Sequence, residues 1–265
     1  MMDRQTGRQA NGPTGKLVAF EGLDQSGKQT QAERLLAAFR AAGHQAEFLT
    51  FPAYETAIGI EIEHALRGRR DYQPDTLQLL YIANRFEFRT RILDWLAAGT
   101  MVVCDRYLAS SVAYGEAQGL DPQWLIDIQR TLPPADVTVL LDIAPETAVA
   151  RKQTGRDRYE RDMALLGRVR ESYRAQARAH GWAVIDGELS KDAVAAAVDA
   201  IAATASATSV LLRMALLRAL GGHGADRPPP PHPRQPHQHG DKRDDQRDRA
   251  DIEELEFGLQ RIDVA

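Results

Sequence analysis

The sequence predicts an α/β fold, a five-stranded parallel sheet flanked by helices, and three observations carry that expectation. Short β-rich runs alternate with longer helical patterns from Leu17 to about Ala203. The runs read as largely continuous apolar stretches and not as strict alternations, as strands do when helices cover both faces of a parallel sheet. Helix start and stop residues fall between the runs, where the alternation requires them.

The first strand is LVAFE (17–21), preceded by a polar, Gly-containing stretch (1–16) that reads as a flexible leader. QAEFLT (45–50) follows a helical pattern closed by Gly43, and TMVVCD (100–105) follows one closed by Gly99. Asp121 followed by Pro122 starts a further helix: the aspartate caps it, and proline's missing N–H has no partner to lose at the first helical position. DVTVLLD (136–142) and WAVID (182–186) complete the strands, so one domain is expected over 17–206. SVLLRMALLRAL (209–220) has helical apolar spacing, and 207–221 reads as an amphipathic helical extension packed on its own domain. Arg213 and Arg218 leave a membrane-surface role as the alternative. Six of the thirteen prolines then fall within 228–236, and DKRDDQRDRAD follows with dense mixed charge. With no apolar stripe to offset the entropy of ordering, 222–265 is expected to be a disordered Pro/His/charge-rich tail.

Composition narrows the function. The 265 residues carry 33 Lys and Arg against 37 Asp and Glu, a formal net charge of -4. A sequence pI near 6.0 argues against a nucleic-acid binder driven by positive charge. The single Cys104 cannot form an internal disulfide, the first residues lack the apolar core of a secretory signal, and no apolar run is long enough to span a membrane. The expectation is a cytoplasmic protein with no membrane and no nucleic-acid partner.

The strongest local signal is AFEGLDQSGKQTQ (19–31), in which Gly22 and Gly27-Lys28 fit GxxxxGK between a strand and a helix. Glycines let consecutive backbone N–H groups turn toward phosphate oxygens, and the helix N-terminus adds partial positive charge. Lys28 can reach the β and γ phosphates. Gly22, Leu23, Asp24, Gln25, Ser26, Gly27, Lys28, Gln29 and Thr30 therefore form the expected cradle of a nucleoside triphosphate, a P-loop. The residue after the lysine, commonly a Ser or Thr hydroxyl on magnesium, is Gln29, with Thr30 next; the glutamine carbonyl is a plausible substitute ligand.

FEGLDQSGKQTQ, FPAYETAIG, LLYIANRFEF, VVCDRYLASSVAY and GRDRYERD occur in that order over about 17–185. In this the chain closely resembles the thymidylate kinases. The resemblance implies a nucleoside monophosphate kinase fold with a mobile lid, magnesium, and transfer of the γ-phosphoryl group of ATP to dTMP. It also implies a homodimer.

Residue roles follow from the resemblance. Asp24 looks toward the acceptor 3′-hydroxyl and the metal. Asp105, ending an apolar strand at the sheet edge, can hold magnesium or its waters. Arg106 beside it forks onto the acceptor phosphate. Tyr81 and Arg85, four apart on one helix face, form a base wall, Tyr81 stacking where relatives usually have Phe and Arg85 donating to the pyrimidine O4. Ser110, Ser111 and Tyr114 follow, Tyr114 crowding the sugar. Phe51-Pro52 opens the acceptor loop and Tyr54 lies near the acceptor phosphate. Ala53 stands where some relatives have a basic residue.

RKQTGRDRYERD (151–162) reads as the lid. Some thymidylate kinases place a catalytic arginine in the P-loop, where this chain has Gln25, so the transfer arginine is expected in the lid: Arg156 for transfer, Arg158 on the donor nucleotide. Lys28, Asp24, Arg106 and Arg156 are the expected catalytic set, and Asp24, Gln29 and Asp105 the expected metal set. A kinase for another monophosphate, or a nucleotide-binding regulatory protein with weak turnover, are the alternatives.

Overall fold

A computed structural model describes residues 15–152, 159 and 162–202. Its single sheet has five parallel strands in the order β2-β3-β1-β4-β5. These are β1 (Leu17–Glu21), β2 (Ala46–Thr50), β3 (Met101–Asp105), β4 (Val137–Asp142) and β5 (Ala183–Asp186). The connecting helices are α1 (Lys28–Ala41), α2 (Ala57–Leu66), α3 (Pro74–Phe86), α4 (Arg89–Ala97), α5 (Leu108–Ala117), α6 (Pro122–Gln129), α7 (Pro145–Arg151) and α8 (Met163–His180). Residues 191–202 are also helical and are called α9.

All five expected strands are present, and both faces are covered as their apolar runs require. Val18 and Phe20 of β1 point to one face with Val103, Val139, Leu141 and Ile185, under α1 and α9. Leu17, Ala19, Val102 and Cys104 point to the other, where Phe88 and Ile92 pack on them. Leu140 faces the same way, against Ala113 of α5 and Val169 and Tyr173 of α8. Cys104 has no exposed surface, and burial raises its thiol pKa well above the ordinary value.

Four strands start one residue later than their apolar runs. Thr100 and Trp182 give their N–H groups to Trp95 and Ala177, completing the ends of α4 and α8 instead of entering the sheet. The Asp136 carboxylate accepts from Leu17 N at 2.9 Å and pairs with Lys16 at 2.6 Å, so it caps the sheet from the side. Two residues of the expected leader, Gly15 and Lys16, are tied to the β3 side of the sheet. Gly15 N donates to Leu96 O, Lys16 O accepts from Val102 N, and a Cβ on Gly15 would lie 2.0 Å from Thr100 O. The helix signals hold: Gly43 and Gly99 have φ of 84° and 83°, and the Asp121 side chain accepts from Gln123 N. The rest of the leader, the 207–221 extension and the 222–265 tail lie outside the described residues.

Candidate active site

The P-loop follows the carboxyl end of β1, which lies between β3 and β4 at the centre of the sheet, where ligands bind in open α/β folds. Its path depends on left-handed backbone at Gln25 and Gly27, with φ of 65° and 95°. A side chain at Gly22 could not fit, since a Cβ there would meet Leu141 O at 2.4 Å. Gly27 caps the fourteen-residue α1 without a side-chain hydrogen bond, and the first turn holds no acidic residue. That leaves backbone donors and the positive end of the helix facing the loop.

Residues 24–31 line a cavity of about 570 Å³ together with Asp105, Arg151 and Gly187. Lys28 is buried there and its Nζ donates to Leu23 O at 2.8 Å, closing the loop on itself. Burial, then the nearby Arg106 charge, lowers the Lys28 pKa. One carboxylate oxygen of Asp105 is buried with no hydrogen-bond partner, as is the Ser26 hydroxyl. An unpaired acidic oxygen at a phosphate cradle is the chemistry a hard cation satisfies. Gln29 is exposed, and its amide nitrogen donates along α1 to Glu33 at 2.9 Å.

A second cavity adjoins the first. All nine residues expected to hold an acceptor line it: Phe51, Pro52, Tyr54, Tyr81, Arg85, Arg106, Ser110, Ser111 and Tyr114. Asp24 belongs to both cavities. Its carboxylate accepts from Arg106 at 2.6 Å and from the Tyr114 hydroxyl at 3.4 Å. Burial works against the Asp24 charge, but the Arg106 and Lys28 charges outweigh it and hold the carboxyl at about 2. Arg106 itself has left-handed backbone, φ 65°, a conformation that non-glycine residues keep only where surroundings impose it. Its guanidinium also reaches Ser110 and Tyr173 and lies 5.4 Å from the Tyr114 ring centroid.

Arg85 is 2 % exposed, donates to the Ser111 hydroxyl at 2.7 Å and to Tyr81 O at 3.2 Å, and sits 5.8 Å from the Phe51 ring centroid. Burial lowers its pKa, although Glu21 and neighbouring tyrosines oppose this. Arg85 and Ser111 thus close the deep end of the cavity, while Asp24 and Arg106 close the end toward the P-loop.

A thymidylate kinase family model matches residues 20–198. The chain belongs to the thymidylate kinase family. It is 40 % identical over 149 residues to thymidylate kinase of Arabidopsis thaliana, covering 56 % of this chain and 57 % of that one, so the match spans little over half of that relative. Thymidylate kinase of Plasmodium falciparum is 35 % identical over 173 residues, 65 % of this chain and 82 % of that protein. The solved thymidylate kinase of Candida albicans aligns with a TM-score of 0.62 at 28 % identity, over 72 % of this chain and 92 % of that one.

Several residues that shape these cavities were given no role from the sequence. Glu21 ends β1 on the face that also carries Leu17 and Ala19, and is 1 % exposed. It accepts from Tyr107 N at 2.9 Å, Ser110 Oγ at 2.6 Å and Tyr173 Oη at 3.2 Å, fixing the turn that presents Arg106. A carboxylate in an apolar period-two position was the available signal. Asn84 pairs with the backbone of Ala53 in both directions, at 2.8 Å and 3.3 Å, so α3 holds the Phe51–Thr56 loop. Arg151, expected as the first arginine of the lid, instead ends α7 and donates to Gln25 O and Gly187 O across the P-loop cavity. Tyr159 is buried with its ring 5.7 Å from Tyr114. Arg156 and Arg158 lie outside the described residues.

Proposed function

We propose that this chain transfers the γ-phosphoryl group of ATP to dTMP, giving dTDP and ADP. The observation that carries this reading is the shared wall: Asp24 belongs to both the phosphate cradle and the acceptor cavity, so an acceptor phosphate held by Arg106 would face a donor held by Lys28. Positioning of this kind, with charge neutralisation, supplies most of the catalysis in phosphoryl transfer.

Arg106 would exchange part of its Asp24 contact for the incoming phosphate, and Lys28 would exchange Leu23 O for the β and γ oxygens. Asp105 and Asp24 would hold magnesium, whose charge offsets that of the phosphates. Gln29 would have to leave Glu33 to join it. Arg156 is assigned to the transferring group and Arg158 to the donor nucleotide. Arg85 and Ser111 take the base, Tyr81 stacks on it, and Tyr114 abuts the sugar. A cytoplasmic homodimer completes the reading. Ile60, Leu79 and Leu93, each at least 40 % exposed on α2, α3 and α4, are apolar side chains that a second copy could cover.

A coupled ADP-release assay with ATP and each nucleoside monophosphate tests the proposal. dTMP should give the highest kcat/KM, and turnover of another monophosphate without dTMP would overturn it.

A further inference from the structure

Gln78 of α3 is 1 % exposed, lines the acceptor cavity, and has neither its amide oxygen nor its amide nitrogen hydrogen-bonded. Buried side-chain amides are rarely left unpaired at both ends, so two orphaned atoms on a residue that lines a ligand site call for a partner. The residue shares a helix face with Tyr81 and Arg85, three and seven positions on. Its stem packs toward α5, where a Cβ on Gly115 would come within 3.5 Å of its Cγ. Ser111, one turn earlier on α5, is the partner of Arg85. The Gln78 side chain therefore lies beside the base wall, its Cγ on the Gly115 side of the Arg85–Ser111 pair.

We propose that Gln78 is a specificity-determining residue that hydrogen-bonds the N3–H and O2 edge of the acceptor pyrimidine. This rests on the dTMP reading above and deepens it. An amide presents one acceptor and one donor side by side, which matches the donor N3–H and acceptor O2 of a pyrimidine-dione. Cytosine offers two acceptors on the same edge, so in either flip of the amide one contact is lost. Arg85, which can only donate, separates O4 from an amine at the next position. Together the two residues read three consecutive atoms of the base. Uracil carries the same edge as thymine, so Gln78 does not distinguish those two.

The test uses the full chain with ATP, magnesium and either dTMP or its 2-thio analogue, in the wild type and in Gln78→Met, whose side chain is close in size. The wild type should favour dTMP over 2-thio-dTMP by about tenfold or more in kcat/KM, and Gln78→Met should bring that ratio close to unity. The variant should also raise the KM for dTMP by about tenfold or more with a smaller change in kcat. An unchanged dTMP KM in a variant with wild-type melting temperature would overturn the assignment. So would a wild type indifferent to the sulfur, a result that does not depend on the variant folding. Failure of the wild type to phosphorylate dTMP at all is a different outcome and removes the acceptor reading itself.

Discussion

Lys28 and Gln29 are neighbours with opposite fates. Lys28 is buried with its ammonium held by a loop carbonyl, so its charge waits inside the cradle. Lys28→Ala should lower kcat by on the order of a hundredfold or more, since a preorganised donor to transferring charge is lost. An unchanged kcat, measured alongside a normal melting curve, would remove it from the reaction. Gln29 instead points its amide nitrogen to Glu33 on the surface of α1. Gln29→Thr should keep turnover within severalfold of wild type at saturating magnesium, because the hydroxyl restores the commoner ligand. Collapse of activity in a folded variant would mean that the glutamine has a positive role. The sequence announced Lys28 through its spacing from Gly22, a local rule. It could not announce where Gln29 turns, because Glu33 competes for it one helical turn away.

At the scale of elements, α3 does two jobs from opposite ends of one motif. Arg85 faces the cavity, while Asn84 turns to the Phe51–Thr56 loop and bonds Ala53, Thr56 and Glu87. Asn84→Ala leaves the buried Ala53 N–H unpaired, while Ala53 O keeps Thr56 as its donor, and should cost about 1 to 3 kcal/mol, read from urea denaturation. A loss below about 0.5 kcal/mol would show that the loop is held by other contacts. The same distinction explains what sequence reading reached. The strands were legible because helices cover both faces, which forces continuous apolar runs. The Glu21 network was not, because its partners Tyr107, Ser110 and Tyr173 lie 86 to 152 residues away. Long-range pairing of that kind leaves no periodicity to read.

For the whole molecule, the depressed carboxyls set the acid limit. Asp24 is held at about 2, below its ordinary 3.8, and Asp142 is also lowered, against burial, by Arg170 and Arg174. Groups lowered on folding stabilise the native state above their ordinary pKa and lose that contribution as the pH falls through the folded value. The urea midpoint should therefore drop between about pH 4 and pH 2, and less steeply in Asp24→Asn; identical profiles would exclude Asp24 as a source. Every group assigned a chemical role lies between Gly22 and Arg158. Truncation after Gly221 should thus leave dTMP turnover and stability within about 1 kcal/mol of the full chain, a larger loss showing that the tail contributes to the domain. The lone Cys104 carries a practical consequence. Its thiol is walled in at the middle of the sheet and ionises only with difficulty, so oxidants and alkylating reagents have nothing to attack while the sheet is closed. Labelling of this chain is then a clock for opening of the sheet core: one reporter, already in place, whose modification rate counts how often β3 comes apart from its neighbours.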